Sequence, residues 1–171
     1  GTHTVLIAYT GTKRDVSTGT GVGIDALRIT GTLGSAAVPF DDGFPLFGYA
    51  GDWKSFSASS LYGGAYRYLN STGSVTIEFD GPRLDWITCK GPSDGIAKVV
   101  LDGVEQPPVD LYSPVLAFQQ KVYSTGEPAP GPHTLRISWT GTKNAASAAS
   151  NITVDRLDVV EKLQRRQRLF L

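Results

Sequence analysis

The sequence predicts an all-β fold, a sandwich of short strands. Three observations carry that prediction. Apolar and polar residues alternate with period two, as in Val75, Ile77 and Phe79 against Thr76 and Glu78. Gly, Ser, Thr and Pro close each alternating run, as turn residues do between strands. Only the tail "EKLQRRQRLFL" has helical composition. With 40% hydrophobic and 10% aromatic residues, the 171-residue chain has enough apolar surface for one real core.

The elements follow in order. Less regular strands are expected near 46–56. A strand at 65–69 follows Gly63 and Gly64, which let the chain bend. Strands at 74–80 and 83–89 come next, then one at 97–102. "LDG" at 101–103 reads as a hairpin turn, with Gly103 supplying a positive φ. Strands at 109–112, 117–123, 133–139 and 152–160 complete the set. Trp86 and Trp139 alternate with core-facing residues and are expected inside. The lone Cys89 can form neither an internal disulfide nor a cysteine-based zinc site, and is expected as a small buried residue.

One stretch occurs twice. "HTVLIAYTGTK" (3–13) returns as "HTLRISWTGTK" (133–143), and residues 3–33 align with 133–163 without a gap. Identities include His3/His133, Gly11/Gly141, Lys13/Lys143 and Asp25/Asp155. A gapless match over two strands and their loop indicates an internal repeat. The expected organisation is therefore the last two strands of a preceding repeat at 1–34, a linker at 35–39, a complete module at 40–160 and a tail at 161–171. The orphan pair in 1–34 is expected to dock on an exposed strand edge or enter a neighbouring molecule as a strand-exchanged oligomer. The chain begins with Gly and has no Met, so it is expected to be a piece of something larger or to carry an added residue at Gly1.

The complete unit resembles the galactose-binding-domain-like β-sandwich modules of secreted bacterial proteins. The motifs that carry the resemblance are "FDDGFPLFGYAGDW" (40–53), "YGGAYRYLNSTGSVTIEFDG" (62–81), "LDWITCKGPSDGIAKVVLDG" (84–103), "VDLYS" (109–113), "GPHTLRISWTGTKN" (131–144) and "ITVDRLDVV" (152–160). The resemblance implies a jelly roll of two antiparallel sheets and a carbohydrate-binding role. It also implies a structural calcium, with Asp41, Asp42 and Asp155 as candidate ligands. No EF-hand spacing is present, and the recurrence of Asp155 at Asp25 suits a structural position equally well.

Strand alternation sends the loops 70–73, 90–96, 113–116 and 140–151 to one end of the sandwich. That end is rich in groups able to hydrogen-bond a sugar. The candidate ligand-binding residues are Tyr62, Asn70, Lys90, Asp94, Lys143 and Asn144, with Tyr62, Tyr66 or Tyr112 offering an aromatic platform. Polar loop residues are also what ordinary solvated turns look like, and the small residues of "KNAASAAS" (143–150) argue against a finely built pocket there.

Other functions find less support. Lys and Arg total 16, as do Asp and Glu, so the basic surplus that phosphate backbones require is missing. No apolar run is long enough for a membrane span. GxSxG, HExxH, Walker A and dinucleotide fingerprints are absent, and His3 and His133 occupy equivalent repeat positions beside a turn. "NST" (70–72) and "NIT" (151–153) match the glycosylation sequon, which is a weak pattern. The sequence thus points to a non-catalytic carbohydrate-binding module. It would be one unit of a tandem array that targets a secreted or cell-surface protein to polysaccharide. The alternatives are a structural or adhesive spacer without a small-molecule site and, behind it, a glycoside hydrolase, for which no carboxylate pair is placed across a cleft.

Overall fold

The structure, a computed structural model, describes residues 18–19, 37–128 and 131–160. The chain divides into two units at Gly34/Ser35, and the description concerns the second. The strand pair expected in 1–34, its docking, and the tail from 161 onward lie outside the described residues but for 18–19.

The described residues of the module form thirteen strands: β1 (Ala37–Asp41), β2 (Phe47–Ala50), β3 (Lys54–Ser57), β4 (Ala65–Leu69), β5 (Ser74–Asp80), β6 (Arg83–Lys90), β7 (Ile96–Leu101), β8 (Val104–Glu105), β9 (Val109–Asp110), β10 (Ala117–Ser124), β11 (Pro132–Trp139), β12 (Ile152–Val154) and β13 (Arg156–Val160). A 3-10 turn, Tyr62–Gly64, precedes β4. All pairings between named strands are antiparallel. One sheet runs β1-β13-β6-β10, and a second runs β2-β5-β11-β7-β8 with β9 also on β7. A third, β12-β4-β3, completes the sandwich-like arrangement. The described residues contain no helix long and apolar enough to cross a membrane.

The alternation read in the sequence is what fills the interior. Val75, Ile77, Leu84, Trp86, Val99, Leu135, Ile137 and Leu157 are completely buried in one core. Register makes them meet: Leu135 stands opposite Ile77 on one side and Leu101 on the other. Each such side chain contributes roughly 1.5–3 kcal/mol when withdrawn from water. Trp139 is half-buried against this core and donates its indole N–H to the Ser150 carbonyl at 2.8 Å. Cys89 is a buried free thiol.

Three boundaries differ from the sequence reading. The linker assigned to 35–39 is strand from Ala37 onward, because "AVPFD" pairs with β13 in register Pro39↔Asp158. β1 closes a sheet edge, where proline is tolerated since no second neighbour needs its missing N–H. The single strand expected at 152–160 breaks at Asp155, where the chain leaves the β12 sheet and enters the β13 sheet. The run expected at 109–112 is shorter, because Tyr112 N–H folds back onto Asp110 Oδ1 at 2.9 Å. The hairpin at "LDG" forms with positive φ at both Asp102 and Gly103. There the Asp102 carboxylate takes His133 Nδ1 at 2.7 Å and Thr134 N–H at 2.8 Å, so this histidine serves the turn.

Candidate functional site

Of the loops grouped at one end by strand counting, 90–96, 113–116 and 140–151 do meet, and they brace one another. Ser147 Oγ donates to the carbonyls of Pro92 and Asp94, and Ala148 N–H donates to Pro92. Gly95 N–H donates to the Asn151 carbonyl at 2.7 Å, and Ile96 N–H to Thr142. Lys143 Nζ caps the Ser147 carbonyl at 2.7 Å. Asn144 donates to Asp110 Oδ2 at 2.9 Å and accepts the Ala146 N–H. Lys143 and Asn144 therefore hold the long loop in shape, and their ligand-binding assignment gains no geometric support. Asn70 is not brought to these loops: it is exposed and accepts from Lys54 Nζ at 3.4 Å. Lys90 ends β6 opposite Ala117.

Asp94 is different. It is 5% exposed, and its carboxylate accepts no hydrogen bond from the described residues. Burial alone pushes it up to about 7, with no neighbouring cation to pull it down. A Cβ placed on Gly91 would stand 3.1 Å from Asp94 Oδ2 and 3.2 Å from Leu116 Cδ1, so the carboxylate lies beside a leucine that is 48% exposed. Asp94 also bears electrostatically on the Tyr66 hydroxyl and the Cys89 thiol, which hydrogen-bond each other. Burial, then Asp94, raises the thiol to about 11, so it stays protonated and inert.

Tyr66 belongs to an aromatic row. Antiparallel register places Phe56 of β3 opposite Tyr66 of β4. Their rings are 5.3 Å apart, and Tyr66 meets Tyr68 edge-on at 6.2 Å. Phe56 is 44% exposed, on a strand whose residues are all exposed. The row therefore runs from the exposed Phe56 to the half-buried Tyr66 and Tyr68. Sugar rings present apolar C–H faces and polar edges, and a ring platform suits the faces.

A second acidic group forms where β1, the 3-10 turn and the β12–β13 break converge. Asp155 is fully buried, and its Oδ2 accepts the Tyr62 N–H at 3.4 Å and the Gln119 amide. Asp42 is buried and faces Arg67, whose Nε lies 3.8 Å away. Burial, with Asp41 and Asp155 nearby, lifts Asp42 to about 6. Burial, then Asp41, lifts Asp155 to about 6 against the Tyr62 and Gln119 hydrogen bonds and Arg156. Asp41 Oδ1 and Asp155 Oδ1 are buried without a hydrogen-bond partner. Those two hard oxygens have the donor chemistry a calcium ion takes. Asp42 is turned to Arg67, and among the described residues no three His, Cys, Asp or Glu are grouped to hold a metal. The fit is thus of two carboxylates, not of a three-carboxylate cage. Tyr62 stands here, its ring 5.0 Å from the Arg156 guanidinium carbon.

Sequence reasoning named Tyr66 and Asp94 but not Phe56, Leu116 or Gln119. Phe56 carried a signal, a lone aromatic inside the polar run "KSFSASS". Gln119 carried none, since it reaches Asp155 only through a positive φ in β10.

No protein-family model matches the chain. Over 101 residues it is 38% identical to the A type blood N-acetyl-alpha-D-galactosamine deacetylase of Flavonifractor plautii, a match covering 58% of this chain and 13% of that protein. Among solved structures it is similar to a Paenibacillus xanthan lyase, with TM-score 0.56 and 18% identity over 78% of this chain and 14% of the lyase. It is also similar to a two-domain esterase active on acetylated mannans, with TM-score 0.58 and 12% identity over 86% of this chain and 43% of the esterase. A form of that esterase crystallised with mannopentaose gives TM-score 0.54 at 12% identity, over 76% of this chain and 38% of that one. The chain thus spans a small part of the first two proteins and under half of the esterase. It is a β-sandwich domain that matches parts of carbohydrate-active enzymes.

Proposed function

We propose that the described module is a non-catalytic carbohydrate-binding domain, one unit of a tandem array in a secreted or surface-attached protein. The observation that carries this reading is the aromatic row Phe56–Tyr66–Tyr68, with Phe56 exposed at its end. The partial identity to a glycan deacetylase and the shared fold with a xanthan lyase and a mannan esterase support it. Weak sites repeated along one chain gain avidity through effective concentration, which gives the internal repeat a purpose. In this reading Asp41 and Asp155 hold a structural calcium that ties β1 to the β12–β13 break, supplying charge neutralisation and no chemistry. The test is affinity electrophoresis of the chain through gels containing xanthan or acetylated mannan, extended to a glycan array. Retardation that Phe56→Ala or Tyr66→Ala abolishes is expected. Binding unchanged in both variants would contradict the assignment of the site.

A spacer without a ligand is the second reading. The observation favouring it is that Lys143, Asn144 and Ser147 all spend their polar atoms on bracing the end loops. Silence across the whole array in the presence of calcium would select it.

A further inference from the structure

Deepening the carbohydrate-binding reading, on which it rests, we propose that Lys54 extends the aromatic row into an anion subsite, so that the recognised glycan carries an acidic group, a uronate carboxylate or a sulfate ester. Register places the lysine there. Antiparallel pairing sets Lys54 of β3 directly opposite Tyr68 of β4, as it sets Phe56 opposite Tyr66. Direct cross-strand partners bring their Cβ atoms to about 4.5–5.5 Å on one face of a sheet. That face is opposite the one Leu69 turns to the core. Lys54 and Phe56 are two residues apart on β3, about 7 Å along the strand.

Charge selects the ligand class. β3, β4 and β12 bring Lys54, Phe56, Tyr66, Tyr68 and Thr153 to this face, so the charge its strands carry is that of the lysine. No carboxylate among the described residues lies within ion-pairing distance of Lys54, whereas Arg67, Arg83, Lys98, Lys121 and Arg156 each have one. Its Nζ reaches Asn70 Oδ1 at 3.4 Å, a long bond that an anion can replace. Asp94, which bears on the Tyr66 hydroxyl, is buried and presents no surface charge to a ligand. A sugar laid on the exposed Phe56 ring stacks its apolar face there and turns its edge along β3, where an acidic substituent meets the lysine. A neutral sugar gains the stacking alone. β3 is an edge strand, and a lysine there also deters pairing with other chains, a role that would leave ligand preference unmoved.

The experiment is affinity electrophoresis of the full chain at pH 7 through gels containing polygalacturonate, its carboxyl-reduced neutral polymer, or that neutral polymer after sulfation. Polygalacturonate is expected to bind about fivefold tighter than the neutral polymer, the upper range for one exposed ion pair. Equal binding of the sulfated polymer supports charge as the feature read, and its failure to bind supports the carboxylate. Lys54→Gln should remove the preference while keeping the folded circular-dichroism spectrum. Lys90→Gln makes the same change in net charge away from the rings and should keep it. Phe56→Ala should lower retention on every gel. Equal or tighter binding of the neutral polymer overturns the inference and leaves the carbohydrate reading intact. A preference that survives Lys54→Gln, or that Lys90→Gln removes as fully, overturns it too. If no polymer is retained, the inference falls, and the glycan array decides the wider reading separately.

Discussion

Asp94 costs the fold something at neutral pH, and the cost has a sign that can be measured. An unfolded chain releases this proton near 3.8, whereas the folded chain holds it to about 7. Between those values the folded state binds the extra proton, so stability is lost as the pH rises through 7. Asp94→Asn removes the penalised charge. Its melting temperature should exceed that of the parent chain at pH 8 and match it near pH 4, and a lower value at pH 8 would contradict the burial argument. Trp86 gives the opposite case, an indole with no exposed surface in the middle of the core. Trp86→Ala should cost about 3–5 kcal/mol in urea unfolding. The place of Trp86 was legible in the sequence from its alternation with Leu84, although β6 proves buried on both faces from Leu84 to Cys89. Asp94 was legible as a polar loop residue, but its burial was not. That burial comes from Leu116 and from the loop at 140–151, which strand counting brings near but cannot place atom by atom.

Among the elements, the 3-10 turn Tyr62–Gly64 shows how local geometry positions a site. Gly63 sits at φ +64°, and a side chain there would run into the Asp41 carboxylate. Gly63→Ala should therefore destabilise the fold by about 1–2 kcal/mol, adding backbone strain to the clash. It should also shift the Tyr62 resonances, because Tyr62 N–H rests on Asp155. Wild-type stability in this variant would sink the assignment. The sequence announced this bend through paired glycines, and it announced most strands through alternation. The break at Asp155 did carry a signal that a single strand over 152–160 passes over: the apolar positions of "ITVDRLDVV" change phase, from Ile152 and Val154 to Leu157 and Val159, across the adjacent polar pair Asp155 and Arg156, where the chain changes sheet. The strand at Ala37–Asp41 was concealed: small residues and Pro39 read as a linker until β13 offers them a partner. Pairing over more than a hundred residues of separation is set by tertiary contact, not by local composition.

On the scale of the whole molecule, buried carboxylates set the pH response. Asp42 and Asp155 are held near 6 and Asp94 near 7, all above their unfolded value of 3.8. Each contributes a stability loss as pH rises through its folded value, so the melting temperature should fall between pH 5 and pH 8. Calcium on Asp41 and Asp155 would offset part of that loss at pH 8, and Asp155→Asn should abolish the gain. A melting temperature indifferent to calcium would leave the two unpartnered oxygens without that role. The carbohydrate reading is tested most directly by a map of backbone amide resonances recorded while the chain is titrated with a glycan that it retains on gels or arrays. The account predicts shifts gathered at Phe56, Tyr66 and Tyr68, with Lys143 and Asn144 unmoved. Shifts confined to 143–144 would contradict it.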